Sequence, residues 1–268
     1  MSEPEIVVVR DQAGAAAEAA ERVAAALAES VDARGRADWA TTGGSTPVGI
    51  YRRLTDTPLR DAIPWPAVHV WWGDDRYVPR DHPSSNVKPL EDVLLDVGED
   101  RTGTSAGGHR GVPLPAANLH PFRTTEAIGR AAGAAWSAAA LADELRAAGL
   151  PQSDGWPVFD LILLGIGPDG HLLSVFPGSS ALDSTELALA IPAPTHVEPR
   201  IERVTLNPAV IGVARQVIVV VYGSEKAGIM ADVLGPHVDA RRWPAQLARR
   251  AGAVWILDGA AASRLPGR

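Results

Sequence analysis

Short apolar segments alternate with longer, Ala-rich segments along most of the chain. The apolar segments are rich in Val, Ile and Leu and are too short for ordinary helices, which favours strands. Strands are predicted at Ile6–Val9, Ala37–Thr41, Val68–Trp72, Phe159–Leu164, Gln216–Val221 and Ala253–Leu257. Helices are predicted at Ala13–Glu29, Pro47–Leu54, Asn86–Leu95, Thr125–Ala148 and Glu225–Leu234.

This alternation predicts an α/β fold, with an open, mostly parallel, doubly wound (Rossmann-like) sheet and helices on both faces. The runs Leu161–Leu164 and Val217–Val221 are apolar at every position, as expected for strands covered on both faces. Open sheets of this length commonly form one unit, so we expect a single domain over residues 1–268. The Gly- and Pro-rich stretch Gly98–Ala117 is interpreted as a surface excursion.

Composition excludes several classes of function. The net charge of −7 argues against nucleic acid or an anionic membrane as partner. The chain has no cysteine, which excludes disulfides, thiolate metal sites and a cysteine nucleophile, and fits a cytoplasmic location. No apolar run approaches the roughly 20 residues that span a bilayer, and the acidic start Met1–Glu5 is unlike a secretory signal. No metal-binding motif is evident, and no cofactor is expected.

Ligands of doubly wound sheets bind beyond the carboxyl ends of the strands, so the loops after the strands are the first candidates for a site. Gly43 and Gly44 let the backbone approach a ligand, and Ser45 and Thr46 offer hydroxyls at the start of a helix whose first residue is expected to be Pro47. The free N–H groups of such a helix start would hold a phosphate. An ordinary capped turn is the alternative.

Charged residues crowd the end of the strand Val68–Trp72. Asp74, Asp75 and Arg76 follow it within a few positions. Charge at a sheet edge is costly unless it is paired or bound to something. The cluster therefore indicates either a ligand site or a structural Asp–Arg pair.

A glycine-rich loop follows the strand Phe159–Leu164. Its residues Gly165–Gly170 satisfy the dinucleotide pattern G-x-G-x-x-G, but Pro177 leaves little room for the long helix of that motif. We interpret the glycines as building a tight loop that presents Asp169 and His171. A histidine flanked by Asp and Gly at a strand end is a candidate acid–base catalyst.

Two later residues supply positive charge. Lys226 lies at a predicted helix start, where a cation opposes the helix dipole, so an anionic ligand would account for it. Arg203 lies in the segment Arg200–Asn207. Solvated surface charge is the alternative for both.

Together these segments resemble the 6-phosphogluconolactonase family, within the group that includes glucosamine-6-phosphate deaminases. The match runs in order through Gly43–Pro47, Trp72–Arg76 with Ser85-Asn86, Leu164–His171 with Phe176–Gly178, Arg203–Thr205, and Gly223 with Lys226. It spans most of the chain. Asp75 departs from the family's usual Glu, and Leu173 from its usual Ala.

The resemblance implies hydrolysis of 6-phospho-D-glucono-1,5-lactone, with a phosphorylated sugar lactone as the small-molecule partner. It implies that the substrate phosphate is held by Gly43, Gly44, Ser45, Thr46, Arg203 and Lys226. It also implies that His171 is the catalytic base, which we expect Asp169 to orient. Arg76 is a candidate to stabilise the oxyanion, and Asp74 to bind a sugar hydroxyl or to anchor Arg76.

Other functions remain open. The deaminases carry a Tyr after their acidic pair and a further Glu shortly after the His, where this chain has Arg76 and Phe176. Lactone hydrolysis is therefore preferred over an amino-sugar-phosphate deaminase or isomerase. A nicotinamide-dependent oxidoreductase and a non-catalytic sugar-phosphate-binding regulator are further alternatives. The oligomeric state, monomer or small homo-oligomer, is left open.

Overall fold

The computed structural model describes residues 3–95 and 111–265. Its strands are β1 Glu5–Val9, β2 Ala37–Thr41, β3 Val68–Trp72, β4 Asp74–Arg76, β5 Leu119–His120, β6 Gln152–Ser153, β7 Trp156–Pro157, β8 Leu161–Leu164, β9 Ala188–Ile191, β10 Arg203–Leu206, β11 Gln216–Val221 and β12 Ala253–Asp258. Its α-helices are α1 Gln12–Arg34, α2 Thr46–Leu54, α3 Leu59–Ala62, α4 Lys88–Val93, α5 Thr124–Gly129, α6 Gly133–Ala148, α7 Ala209–Val213 and α8 Ala227–Val233. Among these described helices, none has the length and apolar character needed to cross a membrane.

Seven strands form one parallel sheet in the order β1-β12-β11-β8-β2-β3-β5. Every residue of β2 and β8 is buried, because neighbouring elements cover both faces of the sheet there. The predicted α/β class with an open parallel sheet is confirmed. From β2 the chain moves outward to β3 and β5, and it then returns to β8 and moves the other way through β11 and β12. This reversal opens a crevice at the carboxyl ends of β2 and β8.

Helix α1 illustrates how local sequence sets an element. Its 23 residues are Ala-rich, and the carboxylate of Asp11 caps its start by accepting the N–H of Gly14 at 2.9 Å. Gly35, at φ 73°, ends the helix in the left-handed conformation that glycine favours. The buried alanines of α1 let the helix lie close to the strands and to α2.

Some predicted boundaries differ from those observed. The predicted helix Thr125–Ala148 is two helices, because Ala131 between them (φ 52°) and Gly133 at the start of α6 (φ 83°) adopt left-handed backbone. The predicted helix Glu225–Leu234 begins as a 3-10 turn before α8. Residues 98–110 of the expected Gly98–Ala117 excursion lie outside the described residues.

A small antiparallel sheet, β4-β10-β9, was not predicted. The expectation that Asp74–Arg76 lie in a loop is wrong, because these residues form β4. All three side chains are polar, so no hydrophobic alternation marks the strand. Gly73 joins the two sheets: its N–H donates to the Thr41 carbonyl at 2.8 Å, and its carbonyl accepts the Leu206 N–H at 2.8 Å.

The carboxylate of Asp75 holds β4 against the turn at residues 85–86. Asp75 is fully buried and accepts the backbone N–H groups of Arg76 at 2.7 Å and Asn86 at 2.6 Å, and the Ser85 hydroxyl at 3.2 Å. Burial raises the pKa of Asp75 to about 7, with a smaller contribution from the charge of Asp74, although these hydrogen bonds oppose the shift. Asp75 therefore acts as a framework group that titrates near neutrality.

We predict that Asp75→Asn changes how stability depends on pH. Between about pH 4 and 7 the folded protein keeps a proton on Asp75 that the unfolded chain has released, so wild-type stability falls as pH rises through this window. The Asn variant keeps an oxygen acceptor but lacks this proton. Its unfolding free energy relative to wild type should rise from pH 5 to pH 7 in urea titrations, and parallel curves would contradict the assignment.

Candidate active site

A cleft of about 360 Å³ lies at the carboxyl ends of β2 and β8, where the strand order reverses. It is formed by the loops after β2, β8 and β11, by the small sheet, and by the loop between β9 and β10. Nine of the ten site residues predicted from the sequence line it: Gly43, Gly44, Ser45, Thr46, Asp74, Arg76, His171, Arg203 and Lys226. The tenth, Asp169, is hydrogen-bonded to His171. The structure thus brings together residues that are far apart in the sequence.

The glycine loop between β2 and α2 presents backbone to the cleft. A Cβ atom at Gly43 would lie 2.1 Å from the side-chain oxygen of Asn86, so only glycine fits there. Gly44 has φ 73°, which also favours glycine. Ser45 occupies the N-cap position of α2, but its hydroxyl makes no capping bond, and Pro47 is the second helical residue, not the first.

The N–H groups at this helix start are available to a ligand. Among the described residues, the backbone N–H groups of residues 43–45 donate no hydrogen bond. They lie at the positive end of the α2 dipole. Such an arrangement attracts a phosphate or carboxylate.

His171 and Asp169 form a close pair on the loop after β8. The Nδ1 atom of His171 lies 2.5 Å from Oδ1 of Asp169, which also accepts the backbone N–H of His171 at 3.1 Å. Gly167 allows this arrangement, because a Cβ there would lie 2.0 Å from the imidazole ring. The bond to Asp169 leaves Nε2 of His171 for other partners.

A second histidine, which the sequence analysis did not identify, contacts the same carboxylate. His196 lies between β9 and β10, and its Nε2 is 2.8 Å from Oδ2 of Asp169. Burial alone would raise the pKa of Asp169, but its interactions with His171 and the hydrogen bond from His196 outweigh burial and hold that pKa well below its ordinary value. No recognisable motif surrounds His196, so nothing in the local sequence pointed to it.

Arg76 and Arg203 lie opposite each other on the antiparallel strands β4 and β10. The guanidinium of Arg76 donates to the carbonyl of Ser84 at 2.7 Å, and the Nε atom of Arg76 is buried without a hydrogen-bond partner among the described residues. Arg203 is buried and donates to the carbonyls of Pro199 at 2.8 Å and Ile201 at 3.1 Å. Burial and the charge of Arg76 lower the pKa of Arg203. Within the described ranges neither guanidinium forms a salt bridge, so both charges remain for an anion.

Lys226 adds a third cation to the cleft. Its Nζ donates to the carbonyl of Ile166 at 2.8 Å. Burial lowers the pKa of Lys226, while the charges of Glu225 and Asp169 oppose this effect. This contact fixes the ammonium beside the loop that carries His171.

Asp74 does not anchor Arg76. Its carboxylate accepts the Ser174 hydroxyl at 2.6 Å and the Asn86 amide at 3.1 Å. The structural Asp–Arg ion pair considered from the sequence is likewise not formed, since Asp75 accepts the backbone N–H of Arg76 instead. Asp74 therefore lines the cleft as a hydrogen-bond acceptor.

Two further residues shape the wall of the cleft. Leu173 adopts φ 53°, unusual for a residue with a side chain, and a Cβ at Gly73 would lie 2.6 Å from its Cδ2. Glu198, which the sequence analysis did not identify, lines the cleft and pairs with Arg200 at 3.0 Å. In the part of the chain that the structure describes, no group of three or more His, Asp or Glu side chains could hold a metal ion.

Known proteins resemble this chain over most of its length. A family model described as glucosamine-6-phosphate isomerases/6-phosphogluconolactonase matches residues 10–256. The 6-phosphogluconolactonase of Streptomyces coelicolor is 34% identical over 265 residues, which cover 98% of this chain and 95% of the relative. That of Mycobacterium tuberculosis is 34% identical over 252 residues, covering 93% and 94%.

Solved structures match over the same length. The 6-phosphogluconolactonase of Trypanosoma brucei superposes with a TM-score of 0.80 at 29% identity, covering 99% of this chain and 100% of that one. A monomeric glucosamine-6-phosphate deaminase gives a TM-score of 0.74 at 16% identity, covering 97% and 99%, which shows a shared fold. The resemblance identified from the sequence motifs is confirmed. With a family model that covers all but short terminal segments, the chain belongs to the glucosamine-6-phosphate isomerase/6-phosphogluconolactonase family.

Proposed function

We propose that this enzyme hydrolyses 6-phospho-D-glucono-1,5-lactone to 6-phosphogluconate, a step of the oxidative pentose phosphate pathway. The observation that carries the proposal is a single cleft that holds the His171–Asp169 pair together with three cations, Arg76, Arg203 and Lys226. Relatives named 6-phosphogluconolactonase that match nearly the whole chain support it. A cytoplasmic location, and the lack of nucleic-acid or membrane partners, stay predictions from composition.

In the proposed mechanism His171 is the general base. Its Nδ1–H donates to Asp169, so Nε2 takes a proton from water as the water oxygen attacks the lactone carbonyl carbon. Arg76 stabilises the negative charge that develops on the carbonyl oxygen. When the intermediate collapses, the bond from carbon to the ring oxygen breaks, and His171 returns the proton to that oxygen. A G-x-S-x-G match occurs once, at Gly103–Gly107, but it follows no predicted strand, whereas a nucleophile elbow requires a strand-to-helix turn. The sequence therefore favours direct attack by water.

The phosphate of the substrate is held at the other side of the same cleft. The free N–H groups of residues 43–45 at the start of α2 bind phosphate oxygens, and the guanidinium of Arg203 and the ammonium of Lys226 supply the opposing charge. The hydroxyls of Ser45 and Thr46 complete the set. Asp74, an acceptor on the cleft wall, binds a sugar hydroxyl.

The environment of His171 argues against deamination of an amino sugar. The resemblance assigns to deaminases a Glu shortly after the histidine, and here Phe176 takes that place, with its ring centroid 4.6 Å from that of His171. The further carboxylate for ring opening is therefore missing from this position.

The proposal is tested by adding the enzyme to freshly generated 6-phosphogluconolactone and comparing hydrolysis with the spontaneous rate. We expect acceleration of the phosphorylated lactone without release of ammonia from glucosamine 6-phosphate. Binding of 6-phosphogluconate without acceleration would indicate a regulator instead. A rise in melting temperature with NAD or NADP would favour the oxidoreductase alternative.

We predict that His171→Ala lowers kcat by about 10²- to 10⁴-fold, because this is the typical contribution of general base catalysis. KM should change little, since phosphate binding depends on other residues. Steady-state kinetics against the spontaneous background measures both values. Turnover equal to wild type would refute the role of His171.

We predict that Lys226→Gln raises KM for the phosphorylated lactone by about tenfold, because one charged hydrogen bond to phosphate is lost. The kcat/KM for unphosphorylated glucono-1,5-lactone should stay near the wild-type value. Lys88→Gln serves as the matched control, because Lys88 is a surface residue paired with Asp92. An equal loss with both lactones would count against phosphate contact by Lys226.

We predict that Gly167→Ala lowers kcat by about 10²-fold, because the new methyl group would overlap the imidazole ring and displace it from Asp169. Gly212→Ala is the control, since a Cβ at that helical position meets no atom within 4 Å. Kinetics of the two variants, with circular dichroism to verify folding, makes the comparison. Similar activity of the two variants would show that catalysis does not depend on the position of the His171 ring.

A further inference from the structure

The carboxylate of Asp169 is shared between two histidines. Its Oδ1 atom lies 2.5 Å from Nδ1 of His171, and its Oδ2 atom lies 2.8 Å from Nε2 of His196. A carboxylate held at both oxygens has one fixed orientation. The mechanism above accounts for the first of these bonds and not for the second.

His196 reaches Asp169 from the rim of the cleft. Its side chain is 51% exposed, whereas that of Asp169 is 16% exposed. The ring of His196 stands edge-on against Phe176 at 5.8 Å, and Phe176 also packs on His171 at 4.6 Å. Hydrogen bonds of such exposed side chains contribute little to global stability, so the effect of this one is local to Asp169.

We propose that His196 is a positioning residue for the reaction, which donates from Nε2 to Asp169 and thereby holds the carboxylate in place against Nδ1 of His171. This inference rests on the proposed role of His171 as the base. His196 itself does not touch the reacting atoms.

The second hydrogen bond has two physical consequences. It restricts rotation of the Asp169 carboxylate, which keeps the proton of His171 on Nδ1 and leaves Nε2 free to accept. It also takes up part of the negative charge of Asp169. Without that donor the charge acts on His171 alone and favours the imidazolium, so the base becomes available only at higher pH.

The loop that carries His196 is attached to the phosphate side of the cleft. The carbonyls of Pro199 and Ile201 accept hydrogen bonds from Arg203, and the carbonyl of Glu202 accepts the N–H of Tyr77 at 2.7 Å. These contacts do not involve the His196 ring. Substitution of His196 should therefore leave the loop attached and change kcat more than KM.

The charged groups around His171 come from several elements. Asp169 is the one that contacts it within the described residues, and the others that line the same cleft are Asp74, Arg76, Glu198, Arg203 and Lys226. All of these stay unchanged when His196 is replaced. A shift in the pH profile is then attributable to the bond between His196 and Asp169.

Two variants separate the hydrogen bond from ring packing. His196→Phe keeps a ring against Phe176 but removes the donor, and His196→Gln keeps an N–H donor but removes the ring. We expect His196→Phe to lower kcat about three- to tenfold and to move the acid limb of the kcat–pH profile up by about 0.5 to 1 unit. The kcat of His196→Gln should stay within about twofold of the wild-type value, and the acid limb of its kcat–pH profile should not move.

Titration of the His171 ring by NMR provides a readout independent of activity. Its midpoint should move to higher pH in His196→Phe and not in His196→Gln. If the wild-type protein has no lactonase activity but His196→Phe still shifts the His171 midpoint, the proposed function is refuted and the positioning role stands. If the wild-type protein is active, two results would overturn the positioning role. In the first, His196→Phe has the wild-type kcat and pH profile; in the second, His196→Phe and His196→Gln lose activity to the same extent.

Discussion

Between β2 and β8 the order of strands reverses, and the loops that follow these two strands leave a crevice at the carboxyl edge of the sheet. The helix start that is proposed to bind phosphate follows β2, and the proposed acid–base pair follows β8. Both strands are buried along their whole length, so the two loops start from the packed centre of the sheet. The separation of the two halves of the site is therefore set by the hydrogen bonds of a parallel sheet.

The small antiparallel sheet brings positive charge to this crevice. Pairing of β4 with β10 puts Arg76 directly opposite Arg203, an arrangement of like charges that destabilises a sheet unless an anion lies between them. The buried Asp75 binds three backbone or hydroxyl donors, and so keeps β4 in register although its own charge is disfavoured there. A phosphorylated substrate would supply the missing negative charge.

The loop between β9 and β10 connects the two chemical tasks of the proposed site. At one end His196 contacts Asp169, and at the other the carbonyls of Pro199 and Ile201 hold Arg203. A buried guanidinium and a half-exposed imidazole are thus attached to the same eleven-residue stretch, residues 192–202.

The sequence by itself determined the parallel α/β sheet and ten site residues, since apolar runs and glycine loops are readable within a few positions. Nine of these residues line the cleft, and the tenth, Asp169, supports its near neighbour His171. Only the tertiary structure decided that Asp74–Arg76 form a strand and that His196 meets Asp169. Arg76 and Arg203, which pair between β4 and β10, are 127 residues apart, and His196 and Asp169 are 27 residues apart. Such contacts depend on packing between distant segments, and no local hydrophobic period in the sequence reports them.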